Sequence, residues 1–504
     1  MSRKIDMKNR ITGNTTAIGT LAALFLAAAP LAAQDKPAVA TPPTLGPAPA
    51  LQVPQVQQAQ LPNGLKIQVV EMHALPIVQA TLTINGGARL DGQHPGLASF
   101  TATMLTEGAG SRDGFELSAE LDYLGANLVA NTTWDATRVH IGAPKRTFAR
   151  ALDLFADVIL RPTFKASDVA RQRDLKLAAL LQQRDQPTAV ASVVFNRVVY
   201  PKGHPYHNPI GGDSSSIVRF DSTLVRDYWI RAADPRQATL IITGDITLDE
   251  ARALAAEKFG DWRAPANPLT PTPESRIPAA PTPATRIILV DKPGAAQSVI
   301  TIGAPGVDRT SPDYAAITVM NTILGGSFSS RLNDVLREQK GYTYGAGSSF
   351  SWRRLPGPFV ASSSVRTNVT DSSLIIFFRE FEAIRERDVP ADELERAIAY
   401  VTLGALGDFA TTRQTNYELT ALTAFGLPLA TIETELAAMK KITAADVRRV
   451  ARKYIDPKHL TVVVVGDIAT IRPGIEALGL GPISVYDADG NPVDTAATSS
   501  TSNR

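Results

Sequence analysis

The sequence predicts an α+β protein made of two homologous two-layer α/β half-domains joined by a Pro-rich linker, and three observations support this. Strand-like and helix-like segments are mixed without strict βαβ alternation. Markers of the first half recur in order in the second, and a stretch carrying seven prolines separates the copies. With 504 residues, 44% of them hydrophobic and 20% charged, the chain can bury a sizeable core; at about 150 residues per domain it suggests about three domains or two large ones.

The N-terminus is expected to be a signal peptide over 1–33. Arg3, Lys4, Lys8 and Arg10 precede an apolar run from Ala17 to Ala29, and Pro30-Leu31-Ala32-Ala33 offers a cleavage site after Ala33. The run is short for a membrane span of about 20 residues, which favours cleavage over a retained anchor. The formal charge of +2 belongs largely to this segment: four bases and Asp6 leave with it, and the mature chain carries about −1. A polyanion is therefore not the expected partner. Zero cysteine excludes a disulfide framework, a thiol nucleophile, Cys-ligated zinc and an acylated lipoprotein. Export without cysteine suits a bacterial periplasm.

Residues 34–58 are Pro-, Ala- and Gln-rich and are expected to form a tether; an N-terminal domain should follow over 59–263. Within it Phe148, Leu152, Phe155 and Ile159 recur at helical spacing, and Val139 and Ile141 alternate with Arg138 and His140 in a strand expected over 127–143. The linker spans 264–285, a C-terminal domain 286–480 and a tail 481–504. The repeat is explicit. Asp234-Pro235 precedes an apolar strand ending Gly244-Asp245, and 222 residues later Asp456-Pro457 precedes one ending Gly466-Asp467; Gln79 to Ile84 resembles Gln297 to Ile302 at a spacing of 218.

The segment Gly96 to Gly108 reads as a helix after a strand. Leu97, Phe100, Thr101, Met104 and Leu105 form its packed face, while Ser99, Ala102 and Thr103 share another face at i, i+3 and i+4. Two imidazoles and a carboxylate at that spacing would make a metal site, but these three side chains cannot. Only six histidines exist. His204 and His207 lie close in sequence, in His-Pro-Tyr-His-Asn-Pro, where two prolines preclude a regular helix and favour a structural loop; His73, His94, His140 and His459 are isolated.

The frame around Ser99 resembles the Gly-x-Ala-His-x-x-Glu-His-Met-x-x-x-Gly segment of the inverted-zincin metallopeptidases, the pitrilysin, insulinase and mitochondrial processing peptidase family. The resemblance extends over nearly the whole mature chain, through His204-Pro205-Tyr206, the two Asp-Pro markers and the linker, and implies a LuxS/processing-peptidase-like metallohydrolase fold. Ser99 and Thr103 stand at the family's zinc histidines and Ala102 at its general base; the third ligand, a Glu in a later helix, falls near Ala178 and Ala179. All four positions depart from the pattern, so no metal is expected on this chain.

In the second half Val335 to Tyr344 resembles the family's substrate-binding pair, an Arg and a Tyr seven residues apart, which map to Arg337 and Tyr344. A guanidinium and a phenol are donors suited to an oxygen gaining negative charge. Tyr342 and Arg331 compete for these roles, Gly341 should end the helix, and Gly325-Gly326 is expected to be a tight turn rather than a flexible loop. The resemblance implies a noncatalytic, substrate-binding subunit of a periplasmic heterodimeric peptidase. A partner subunit bearing the HxxEH motif would supply zinc, and the substrate would be an unfolded peptide. The alternatives are a structural or peptide-holding protein without a proteolytic partner, like the family's respiratory-complex core subunits, and an autonomous metallopeptidase with a relocated site.

Overall fold

Apolar strands that bury both faces need covering layers on each side, and the chain meets that need by exchanging helices between its halves. The computed structural model describes Leu51 and residues 53–493. The expected signal peptide, most of the tether and the extreme C-terminus lie outside the described residues. The described residues form one compact unit holding two six-stranded sheets.

The first half runs β1 (Gln57–Gln60), β2 (Lys66–Glu71), β3 (Ile77–Asn85), α1 (Leu97–Met104), β4 (Gly108–Ala109), β5 (Arg112–Asp113), α2 (Gly114–Leu124), β6 (Asn127–Thr132), β7 (Ala136–Pro144), α3 (Lys145–Leu160), α4 (Ala166–Gln183), α5 (Pro187–Val199), α6 (Ser214–Ile217), α7 (Ser222–Ala232), β8 (Ala238–Gly244) and α8 (Leu248–Phe259). Its sheet has the order β1-β2-β8-β3-β7-β6, with β2 and β8 parallel and the other pairs antiparallel. The single strand expected over 127–143 is a hairpin, β6 and β7, because the chain turns at Thr133-Trp134-Asp135. On α3 the predicted stripe Phe148, Leu152, Phe155 and Ile159 is fully buried.

The second half runs β9 (Arg286–Asp291), β10 (Gln297–Pro305), α9 (Tyr314–Asn321), α10 (Arg331–Asn333), β11 (Thr343–Phe350), β12 (Pro358–Arg366), α11 (Thr370–Glu386), α12 (Ala391–Gly407), α13 (Thr412–Phe425), α14 (Thr431–Met439), α15 (Ala444–Tyr454), β13 (Thr461–Gly466), α16 (Ile468–Ala477) and β14 (Ile483–Tyr486). The sheet order β11-β12-β10-β13-β9-β14 reproduces the first from β2 to β6. The sixth strand breaks the copy. The first half takes β1 from its beginning, antiparallel to β2, whereas the second takes β14 from its end, parallel to β9. Residues 483–486 thus lie in the sheet and not in a tail as expected, and Asp489 beyond them accepts a bond from Arg184 at 2.6 Å.

The exchange sets the geometry of the site. Helix α5 of the first half lies on the face of the second sheet away from its own helices, Val190, Val194 and Phe195 packing with Val299, Val463 and Val465. Helix α13 of the second half lies correspondingly on the first sheet, where Leu419 and Leu422 cover Val70 and Ile241. Buried polar groups pin the halves together. The Tyr206 hydroxyl donates to Asp135 at 3.3 Å and accepts from the Leu355 amide at 3.1 Å, and the Tyr200 hydroxyl donates to the Pro356 carbonyl at 3.0 Å.

Candidate functional site

Helix α1 begins at a closely packed entry. Gly96 and Gly212, both at positive φ, touch backbone to backbone, so a Cβ on either would meet the other loop at 3 Å or less. The Asp91 carboxylate accepts the amides of Gly96 at 2.8 Å and Ala98 at 2.7 Å, which fixes the first turn. Burial pushes its pKa up to about 7, against the lowering effect of those two bonds. From this entry Leu97, Phe100 and Met104 point into the core as predicted. Ser99 is half-buried, Ala102 buried and Thr103 exposed, its hydroxyl donating back to the Ser99 carbonyl at 3.3 Å. On α4, Ala178 and Ala179 are exposed. The hydroxyls of Ser99 and Thr103 and the three alanines on α1 and α4 offer no imidazole and no carboxylate, so these positions do not fit a zinc ion. Among the described residues no group of three or more His, Cys, Asp or Glu is placed to hold a metal.

The histidine loop is structural in its contacts. His204 is buried and stacks on Tyr200 at 4.5 Å, its Nδ1 accepts the Tyr206 amide at 3.0 Å, and burial with the nearby Arg353 charge lowers its pKa to about 4. The His207 Nδ1 lies 2.7 Å from the Tyr200 carbonyl.

The other half of the site is built on an irregular helix. After α9 the chain widens into a π-helical turn over Thr322–Gly326, and a second π turn over Asp334–Gln339 carries Arg337. Gly325-Gly326 is therefore not the tight turn expected. Gly325 is buried where the helix presses on β11, and a Cβ there would lie 2.3 Å from the Ser348 amide nitrogen. Gly341, at φ +61°, ends the second turn as predicted, its amide donating to the Arg337 carbonyl at 3.0 Å. A register shift in β11 between Thr343 and Ala346 then turns Tyr344 outward, leaving it 91% exposed.

Their competitors are engaged elsewhere. Arg331 forms a two-pronged ion pair with Glu393 at 2.8 and 2.6 Å, and Tyr342 packs against the second core. Arg337 is half-buried, its Nε 3.4 Å from the Glu338 carboxylate and its guanidinium 4.5 Å from the centre of the Phe328 ring. Arg337 and Tyr344 line one cavity of about 780 Å³ between α5 and the second sheet. The sequence reasoning missed Phe328 and Arg353, which line it too; an exposed Phe beside a helix start was the available signal for the first, and Arg353 had none.

Residues 68–203 match the Insulinase (peptidase family M16) model and residues 219–401 the Peptidase M16 inactive domain. The chain belongs to peptidase family M16. An uncharacterized zinc protease of Mycobacterium leprae is 26% identical over 297 residues, 58% of this chain and 65% of the relative, so the match spans just under two thirds of that protein. The mitochondrial-processing peptidase subunit beta of Lentinula edodes is 23% identical over 437 residues, 83% of this chain and 91% of that one. A solved M16 inactive domain from Pseudomonas fluorescens superposes with a TM-score of 0.75 at 27% identity, covering 82% of this chain and 98% of that one. Within this M16 chain the insulinase match contains Ser99, Ala102 and Thr103, and the inactive-domain match contains Arg337 and Tyr344.

Proposed function

We propose that this M16 chain is the noncatalytic, substrate-binding subunit of a two-subunit periplasmic zinc metallopeptidase, exported by the signal peptide expected over residues 1–33. One juxtaposition supports the reading most. The helix that would carry zinc ligands keeps its core face and holds only Ser99, Ala102 and Thr103 on the other, while Arg337 and Tyr344 both line an open cavity. Arg337 makes one ion pair, with its sequence neighbour Glu338 at 3.4 Å, and Tyr344 is exposed, so neither side chain is locked into the core. The partner subunit would bring the HxxEH helix and the zinc. This chain would supply one wall, seat an unfolded peptide against the second sheet, and direct two donors at the carbonyl oxygen under attack, where charge develops during the reaction.

The test is co-expression with an M16 subunit carrying an intact HxxEH motif. The pair should hydrolyse peptides in a chelator-sensitive way, and this chain alone should be inert. Arg337→Ala and Tyr344→Phe should each lower the rate of the assembled pair on the order of 100-fold. Unchanged rates in both variants would remove the assigned roles. One tightly bound zinc on the chain purified alone would overturn the noncatalytic reading itself.

A further inference from the structure

We infer that the cavity bearing Arg337 and Tyr344 selects peptides that carry a carboxylate, and that Arg353 is the residue that receives it. This rests on the reading that the cavity seats substrate and adds the substrate's chemical class. The inference comes from the charge census of the walls. Among the residues lining the cavity, the charged side chains are two arginines, Arg337 at the mouth and Arg353, with no Asp, Glu or Lys. The remaining lining is neutral: hydroxyls such as Ser362 and Ser364 on β12, and apolar groups such as Phe195 and Val360. A volume of about 780 Å³ is within the range of ligand sites.

Arg353 is held in place without being neutralised. Its guanidinium lies 4.8 Å from the centre of the Trp134 ring and 4.5 Å from that of Tyr206. Its Nη1 is buried out of reach of the cavity, while its Nε and Nη2 make no side-chain hydrogen bond among the described residues and are the donors left for the cavity that Arg353 lines. Asp135, a carboxylate close enough to act on it, is already engaged by Arg89 at 3.5 Å, the Tyr206 hydroxyl at 3.3 Å and the Arg354 amide at 3.1 Å. A fixed cation with donors left unpaired at a cavity wall favours an acceptor there, and a carboxylate is the acceptor matched to a guanidinium. The carboxylate is either an Asp or Glu side chain or the peptide's own C-terminus. These share one chemistry and are separated by experiment.

Titration calorimetry on the purified chain with three eight-residue peptides provides the test: one with a single Glu and an amidated C-terminus, one with Gln at that position and a free C-terminus, and one with Gln and an amidated C-terminus. At least one of the first two should bind about tenfold or more tightly than the third, and whichever does names the source. Equal affinities within twofold for all three would overturn the inference while leaving the activity of the assembled pair untouched. Because Arg353 also packs between the halves, a second variant is needed. Ser362→Asp, on an exposed strand position, should weaken the carboxylate peptide about tenfold and the neutral one little; no change in either would place the binding elsewhere and overturn the inference.

Discussion

The Asp91→Asn substitution tests the entry to α1 quantitatively. In the fold the Asp91 carboxylate accepts two amides, at 2.7 and 2.8 Å, and burial raises its pKa to about 7. In the unfolded chain it should titrate near its ordinary value of about 3.9. Between those values the folded state holds a proton that the unfolded state has released, so the contribution of Asp91 to stability falls as pH rises from about 4 to about 7 and is level above that. A shift of about 3 units at about 1.4 kcal/mol each gives ~4 kcal/mol across that window. Asn cannot titrate and should remove the slope. It also turns one accepting oxygen into an NH₂ facing an amide, at a cost of about 1–3 kcal/mol at every pH. The variant should therefore be clearly weaker than wild type at pH 5 and approach or pass it at pH 8. Urea unfolding followed by tryptophan fluorescence suits the first half, which holds Trp134, Trp229 and Trp262, three of the four tryptophans. Parallel pH profiles for the two proteins would refute the reasoning.

Gly325→Ala should destabilise by about 1–3 kcal/mol, because its Cβ would meet the Ser348 backbone at 2.3 Å, whereas Gly404→Ala, in open space on α12, should stabilise by about 0.5–1 kcal/mol in thermal or urea unfolding. Tyr206→Phe leaves Asp135 and the Leu355 amide without a shared hydroxyl and should cost about 1–3 kcal/mol, visible as easier separation of the halves in limited proteolysis. His140, half-buried and bonded to Thr81 at 2.9 Å, has its pKa lowered to about 4 by desolvation and then by the Arg413 charge. Its neutral form is favoured in the fold, so its contribution is complete above about pH 6.5 and is lost as pH falls toward 4. Substitution by Gln should flatten that acid limb in the same unfolding profile.

What could be read in advance was whatever repeats or alternates. The stripe on α3 and the packed face of α1 follow from apolar spacing, and the doubled strand ending in Gly-Asp followed from comparing the halves. Strand β14 escaped because it departs from the repeat: its counterpart in the first sheet comes from the other end of the half and runs in the opposite sense. The Trp134-Asp135 turn escaped because it lacks Gly or Pro, so β6 and β7 looked like one strand. Gly325 signalled a turn, but its cause is contact with β11, which only tertiary structure reveals. Arg353 was invisible for the same reason. Trp134 and Tyr206, which flank it, lie more than 140 residues away in sequence.

The survival of α1 without metal-binding side chains has a physical reason in how its faces are divided. Leu97, Phe100 and Met104 supply its burial, Asp91 its first turn and the Gly96–Gly212 contact its approach to the neighbouring loop. None of these depends on what stands at Ser99, Ala102 or Thr103. Stability and chemistry therefore occupy different faces of one helix, and the second can change while the first is kept. Across the chain the same separation works in reverse. Arg337 is half-buried and Tyr344 91% exposed, and the Gly341 cap and the β11 register shift set where the two stand. On the proposed reading, side chains that add little to the core and are placed by such local irregularities have their value in what they touch outside the fold.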